Sequence, residues 1–485
     1  MIVRRTKVVA TLGPACSTPE RIEALILAGM DVARLNFSHG TADDHRARAR
    51  MVREIAARHG RYVALMGDLQ GPKIRIARFA DKRVTLEEGA AFTLSRTYPL
   101  DAGNVNIVGI DYPDLTTDCR PGDELLLDDG RIVLRVDEAV GDALHTTVVI
   151  GGELSDNKGI NRRGGGLSAP ALTDKDREDI RVAASIGMDF VAVSFPRYGR
   201  DIEQARRLVR AAGSSAWLIA KIERAEAVAD DEALNDIICA SDGVMVARGD
   251  LGVEVGDAEL VGIQKRIIRS ARSRNKLVIT ATQMMESMIA SPMPTRAEVS
   301  DVSNAVLDYT DAVMLSAESA SGRYPVAAVQ AMARVCLGAE KHPTSRSSHH
   351  RLGETFERRD ETIALSAMYA ANHFPGIKAI VSLTESGHTP LIMSRIRSSV
   401  PIFAFSRHDA TLHRMALIRG VQAVFFDPDA QTLERLPDAV IAELVRHKAV
   451  EQGDWIILTH GDFHAGTGGT NSMTLWRVPG NAATD

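Results

Sequence analysis

Cysteine is scarce in this 485-residue chain: Cys16, Cys119, Cys239 and Cys336 are scattered, and no C-x-x-C pair occurs. That excludes a disulfide framework and a zinc site of paired cysteines, and it fits a reducing cytosol. Long apolar runs are missing too, so nothing in the sequence is expected to span a bilayer. No excess of basic residues is present; the formal net charge is −5, which gives no electrostatic reason to expect nucleic-acid binding. A G-x-x-x-x-G-K-[ST] loop is absent, so any nucleotide is not held in P-loop fashion. No Ser-His-Asp or Cys-His arrangement is legible. Met1 to Arg5 leads straight into the first expected strand, leaving no room for a signal peptide. The expectation is a soluble, cytoplasmic protein of two to four domains, since this length is too great for one core.

What is present is a repetition. Eight short apolar runs each end in polar, often charged, residues: Lys7–Thr11, Val32–Ser38, Tyr62–Asp68, Phe190–Arg197, Trp217–Glu223, Val244–Asp250, Leu277–Gln283 and Ala312–Glu318. Most are separated by one helix-like stretch, the alternation that closes into a (β/α)₈ TIM barrel. In such a barrel the C-terminal strand ends form the catalytic mouth. The residues gathered there are Arg34, Asn36, Ser38, Asp68, Lys221, Glu223, Asp250 and Thr282, a set of oxygen ligands and cations suited to a metal-assisted phosphate site.

Helix starts are marked locally. Ser17-Thr18-Pro19-Glu20 supplies an N-cap and an early proline. Thr173 with Asp176 resembles a capping box, one carbon short of the usual Glu. The interval between the third and fourth runs is long and mostly β-like: Arg83–Leu86, Ala91–Ser95, Glu124–Leu127, Arg131–Val136 and Thr146–Ile150. Pro72 and Pro170 bracket it, so residues 72–170 are expected to form an inserted small β-barrel lid, with the catalytic barrel built from 1–71 and 171–341. His342 to Arg351 looks like a linker. Alternation then restarts, and 342–485 is expected to be a C-terminal open α/β sheet domain with a regulatory role.

Strand residues two apart share a face, so Lys221 and Glu223 should point the same way, as should Arg248 and Asp250. Glu223 and Asp250, near the ends of neighbouring strands, would converge on Mg²⁺ or Mn²⁺, which prefer hard oxygen ligands. Lys221 adds a fixed positive charge beside them, and Arg34 a second on the opposite side. Phosphoryl transfer gains mainly from charges positioned in this way. Any single pair could equally be a structural ion pair in the polar layer of a barrel. Several at successive strand ends favour a functional site. A lone histidine such as His39 is more often structural than a substrate contact.

At this point a family resemblance becomes legible. Arg34-Leu-Asn-Phe-Ser-His-Gly40, Gly67-Asp-Leu-Gln-Gly-Pro-Lys-Ile-Arg75, Ala220-Lys-Ile-Glu223, Ala247-Arg-Gly-Asp-Leu-Gly252 and Ala281-Thr-Gln-Met-Met-Glu-Ser-Met288 resemble pyruvate kinases. So do Pro294-Thr-Arg-Ala-Glu298 and Met314-Leu-Ser-Ala-Glu318. The resemblance implies a phosphotransferase moving the phosphoryl group of phosphoenolpyruvate to ADP, giving pyruvate and ATP. It implies Mg²⁺ (or Mn²⁺) on Glu223 and Asp250, with Lys221 neutralising the phosphoryl group in flight. Arg34 and Arg75 would grip phosphates; the amides of Gly249 and Asp250, with Thr282, would bind the substrate carboxylate. Thr282 would help deliver the proton to the enolate. On the nucleotide side stand Arg75, His39 and Lys158. A homotetramer is also implied.

Two departures and one loop carry further expectations. Many members of the family bind K⁺ through residues matching Asn36, Ser38, Asp68 and the next position, and carry Thr-Lys-Gly-Pro-Glu where this chain has Leu69-Gln-Gly-Pro-Lys73. The Lys73 ammonium is expected to replace the ion, so that K⁺ is not required; the alternative is a solvated lysine at a hinge. Thr384-Glu-Ser-Gly-His-Thr389 precedes Pro390, taken as an N1-type proline, and the resemblance makes it the phosphate loop of an allosteric effector. Thr384, Ser386, Gly387 and Thr389 are its candidate contacts, with the Gly461–Thr470 loop closing over; two tight turns are the alternative. Barrel lyases and aldolases acting on enolpyruvate-like substrates share the broad layout but lack the β insert. A catalytically dead regulatory subunit would not be expected to keep Arg34, Lys221, Glu223, Asp250 and Thr282 together.

Overall fold

Eight short strands carry the alternation into three dimensions. In the computed structural model, which describes residues 4–343, 355–432, 434–461 and 469–479, they are β1 (Lys7–Thr11), β2 (Val32–Asn36), β3 (Ala64–Asp68), β4 (Phe190–Val193), β5 (Trp217–Ile222), β6 (Gly243–Ala247), β7 (Leu277–Ala281) and β8 (Ala312–Leu315). They form a closed barrel in chain order around the cylinder, with β8 beside β1. Most are buried at every position, as parallel strands covered by helices must be. The fold is therefore the expected α/β class.

The sixth run departs from expectation. Its strand stops at Ala247, and Arg248–Val255 is a helix. Arg248 and Asp250 are then about 200° apart around a helix axis rather than on one strand face. Asp250 sits in the first turn instead, where a carboxylate and outward-pointing amides are both favoured.

The chain packs as two compact units. One comprises Met1–Gly67, Ser185–Phe190 and Ala271–Asp485. Its first helix, Pro19–Ala28, starts as expected: Thr18 Oγ1 accepts from Arg21 N and Pro19 is the first helical residue. This unit contains a five-stranded sheet of β9 (Ile377–Leu383), β10 (Ile402–Ser406), β11 (Val421–Phe425), β12 (Trp455–Gly461) and β13 (Thr470–Arg477), ordered β11-β10-β9-β12-β13. Only β13 is antiparallel to its neighbour. Helix Leu436–Arg446 covers one face of this sheet, sealing Val381, Phe403, Phe405 and Val424 with Leu436, Val440 and Leu444.

A buried ion pair stands at the foot of β8. The Arg395 guanidinium donates twice to the fully buried Asp311 carboxylate, once at 2.9 Å, and Asp311 also accepts from the amides of Val278 (2.9 Å) and Arg419 (3.1 Å). Every partner this carboxylate needs is supplied, which is the condition under which a buried charge is tolerated.

The other unit comprises Asp68–Ala184 and Val191–Ser270. Its insert holds a six-stranded sheet and a two-stranded one around a single apolar core. Arg83–Leu86, Ala91–Ser95 and Glu124–Leu127 are strands with the expected bounds. Two others run longer, Ile132–Val140 and Ala143–Ile150, and three short strands were not anticipated: Ile107–Gly109, Gly152–Ser155 and Ile160–Arg162. The Thr173–Asp176 capping pair forms before helix Asp174–Ile186, and the second oxygen of Asp176 accepts from Gly71 N at 3.0 Å. Gly71 has φ 67°, and a Cβ there would meet Ser194 at 2.7 Å, so this turn needs glycine.

Most of the linker expected at His342–Arg351, and most of the Gly461–Thr470 loop, lie outside the described residues.

Candidate active site at the strand ends

Lys221 is the penultimate residue of β5 and Glu223 follows the strand, so both emerge on one side. Lys221 Nζ lies 2.8 Å from Glu223 Oε1 and 3.3 Å from Asp68 Oδ1, and it donates to Ser194 Oγ at 2.7 Å. Both carboxylates are 1% exposed. Glu223 Oε2 accepts from Phe195 N at 2.8 Å, a bond made possible by the left-handed backbone of Phe195 (φ 53°). Ser194 Oγ in turn donates to Leu69 O at 2.7 Å.

Burial pushes the Glu223 carboxyl up to about 7; Lys221 opposes this and the neighbouring negative charge of Asp250 adds to it. Glu223 is buried and Asp250 half-buried, and the like charge between them favours a cation beyond Lys221. Their oxygens are the hard ligands that Mg²⁺ and Mn²⁺ prefer, and Mg²⁺ is commonly bound by one or two carboxylates with water and substrate filling the rest. Among the described residues no cluster of three or more His, Cys, Asp or Glu side chains could hold a metal by itself.

The helix Arg248–Val255 continues the same wall. Asp250 and Lys73 line one narrow cleft with Phe195, Arg224 and Glu254. Glu254 is buried, accepts from Ala225 N at 2.8 Å, and is pushed up to about 7 by burial. Lys73 itself is exposed. Within the insert, Lys158 pairs with Asp128 at 2.7 Å, and Arg75 donates to Asn157 O at 2.8 Å.

In the first unit, Arg34 follows the same strand-end logic. It lies on β2, is buried, and donates to Thr11 Oγ1 at 2.9 Å. Asn36 Oδ1 accepts from Ser38 N at 3.1 Å, and the exposed His39 donates its amide to Asn36 O. Thr282 directly follows β7 with φ 65°, and Gln283 has φ 54°. Two successive non-glycine residues in this region mark stored backbone strain of the kind that clusters at functional sites. Thr282 Oγ1 donates to Ala281 O at 2.7 Å. Glu318, at the end of the eighth run, is instead turned inward to accept from Ser316 N (2.7 Å) and Met285 N (3.2 Å).

At the C-terminal sheet, helix His388–Ser394 begins two residues earlier than expected, because Gly387 (φ 83°) starts the turn; Pro390 is its third residue rather than its first. Thr384 Oγ1 accepts from Gly387 N at 2.9 Å, Thr389 Oγ1 pairs with Thr470 Oγ1 at 2.7 Å, and Ser386 is exposed.

Sequence reasoning missed Ser194, Phe195 and Glu254. The first two directly follow β4, inside the fourth run Phe190–Arg197, where a strand followed by Ser-Phe-Pro already signalled a mouth position; Glu254 had no such signal.

Comparison with known proteins agrees with this geometry. The family model for the pyruvate kinase barrel domain matches residues 3–329 and that for the pyruvate kinase alpha/beta domain matches residues 361–476. The chain belongs to the pyruvate kinase family. It is 57% identical over 477 residues to pyruvate kinase II of Salmonella typhimurium, covering 98% of this chain and 99% of the relative. A pyruvate kinase of Haemophilus influenzae is 55% identical over 95% of this chain and 96% of its own length. One from Mycobacterium tuberculosis is 40% identical over 98% and 99%. No described helix is long and apolar enough to cross a membrane.

Proposed function

We propose that this chain transfers the phosphoryl group of phosphoenolpyruvate to ADP, giving pyruvate and ATP. The observation that carries the reading is the buried Lys221–Glu223 pair, 2.8 Å apart, with the charge of Asp250 acting on Glu223. Glu223 and Asp250 would hold Mg²⁺ or Mn²⁺; when bound, the ion supplies charge to the substrate's carboxylate and phosphoryl oxygens. Lys221, positioned by Ser194 and Asp68, offsets the negative charge that spreads over the phosphoryl oxygens as the bond to the enol oxygen breaks. Arg34 binds the phosphoryl group. The amides of Gly249 and Asp250, at a helix start, receive the substrate carboxylate. Thr282 helps to direct a proton to the enolate carbon. Arg75, His39 and Lys158 serve the nucleotide, with 72–170 as lid, 1–71 with 171–341 as catalytic barrel and 342–485 as regulatory domain.

We infer further that K⁺ is not required. Leu69 offers no hydroxyl ligand, and the Lys73 ammonium, lining the cleft of Asp250, would complete the site of Asn36, Ser38 and Asp68. Thr384, Ser386, Gly387 and Thr389 would bind the phosphate of an activating metabolite; the exposed hydroxyl of Ser386 supports this. A homotetrameric, cytoplasmic enzyme goes with the family resemblance.

A coupled assay with phosphoenolpyruvate, ADP and Mg²⁺ tests the reaction. Pyruvate formed in step with ATP supports it; consumption of phosphoenolpyruvate without ADP would point to a lyase, and no turnover to a regulatory subunit.

A further inference from the structure

The C-terminal sheet has a cavity of about 360 Å³ at the N-terminal ends of its strands. Strand β9 is seven residues long, so this cavity lies about 20 Å from the Thr384–Thr389 loop at the strand's other end. Its size falls in the range of small-molecule sites.

The wall is apolar where it meets the sheet, through Ile377 and Phe403. One residue breaks that surface. Gln422 pairs in register with Phe403 and is two residues before Val424, so it continues the apolar row that helix Leu436–Arg446 covers. Its side-chain nitrogen is buried and has no hydrogen-bond partner among the described residues. A buried amide donor left unpaired costs about 1–3 kcal/mol, so such a group at a cavity wall points to an acceptor that arrives with a ligand.

The rim supplies the rest of the chemistry. Lys378, Lys448, His447 and Ser399 line the opening, and among the described residues no acidic side chain does. Neither lysine makes an ion pair among the described residues, whereas His447 is already engaged by Glu443 at 3.2 Å. Lys448, with φ 55°, takes the left-handed conformation that commonly ends a helix, which places it at the rim just past helix Leu436–Arg446. Two ammoniums, a hydroxyl and an amide nitrogen, all donors around an apolar floor, match a doubly charged head on a small organic body.

We propose that this cavity is a third small-molecule site, taking a phosphomonoester of modest size, separate from both the strand-end site and the Thr384–Thr389 loop. The inference does not rest on the catalytic reading.

Calorimetric titration of the full chain with phenyl phosphate, paired with hydrogen exchange, tests it. Binding should protect residues 399–403 and 447–449 and weaken at least tenfold in Lys378→Ala/Lys448→Ala, whose turnover stays at the wild-type level. Gln422→Leu should also weaken binding without lowering the thermal midpoint, which separates lost recognition from lost folding. Thr384→Ala/Ser386→Ala should bind as wild type does. Inorganic phosphate should bind more weakly, and benzyl alcohol should give no protection. Undiminished affinity in the double lysine variant, protection confined to other segments, or inorganic phosphate binding as tightly as phenyl phosphate would each overturn the proposal.

Discussion

Lys221 Nζ lies 2.8 Å from Glu223 Oε1 and remains within 3.3 Å of Asp68, so one ammonium serves two carboxylates that are almost completely buried. Removing it should leave both charges uncompensated. Lys221→Met is expected to lower turnover by about three orders of magnitude or more, with little change in substrate affinity, because its charge matters most in the transition state. Steady-state kinetics check the split between kcat and KM. The metal-free variant should also melt earlier than wild type, with Mg²⁺ restoring part of the loss.

The raised Glu223 carboxyl links metal binding to protons. Mg²⁺ needs the carboxylate, and with a value of about 7 the group is protonated below neutrality. Mg²⁺ affinity should therefore rise with pH, approaching about tenfold per unit below 7 and levelling off above it. Titration calorimetry from acid to neutral pH measures this, and Glu223→Gln should remove the slope along with most of the affinity.

Glu254 gives a stability signature of its own. Its folded-state value of about 7 lies above the ordinary carboxyl value of 4.5, so the folded protein holds a proton that the unfolded chain releases. The sign follows: this group costs stability as pH rises from about 4.5 to 7, reaching about 3 kcal/mol. Thermal midpoints of Glu254→Gln should gain on those of wild type across that window, with the gap constant above it. A gap that narrows with rising pH would contradict the assignment.

At the foot of β8, Asp311→Ala should strand the Arg395 guanidinium in a dry site and cost about 3–5 kcal/mol. Denaturant or thermal unfolding reads the loss. A near-neutral effect would mean that water reaches Arg395.

Potassium offers a separate check. Turnover in tetramethylammonium buffer should change little on adding K⁺, whereas Lys73→Glu, alone or with Leu69→Thr, should create a requirement for it. Strong K⁺ stimulation of the wild type would remove Lys73 from this role.

The barrel was legible because parallel strands buried on both faces leave continuous apolar runs, and their polar ends announce the mouth. The sixth run misled at its last residues: Ala247-Arg248-Gly249-Asp250 suits either a strand end or a helix start, and only the packed barrel decides. In the insert, Ile107–Gly109 and Ile160–Arg162 are too short for alternation to show; pairing with neighbouring strands, not local pattern, makes them strands. Asp68 was legible as a mouth residue, but its partnership with Lys221 was not, since the two lie on separate strands. Asp311 and Arg395 are 84 positions apart, and no spacing in the chain could have joined them.

The most direct test is coupled turnover of Glu223→Gln/Asp250→Asn beside wild type, with phosphoenolpyruvate and ADP across a full Mg²⁺ titration. The account predicts that wild type forms pyruvate and ATP together, saturating in Mg²⁺, while the variant stays at least about a thousandfold slower at any Mg²⁺ concentration. A variant that reaches wild-type turnover at high Mg²⁺, or at none, would contradict it.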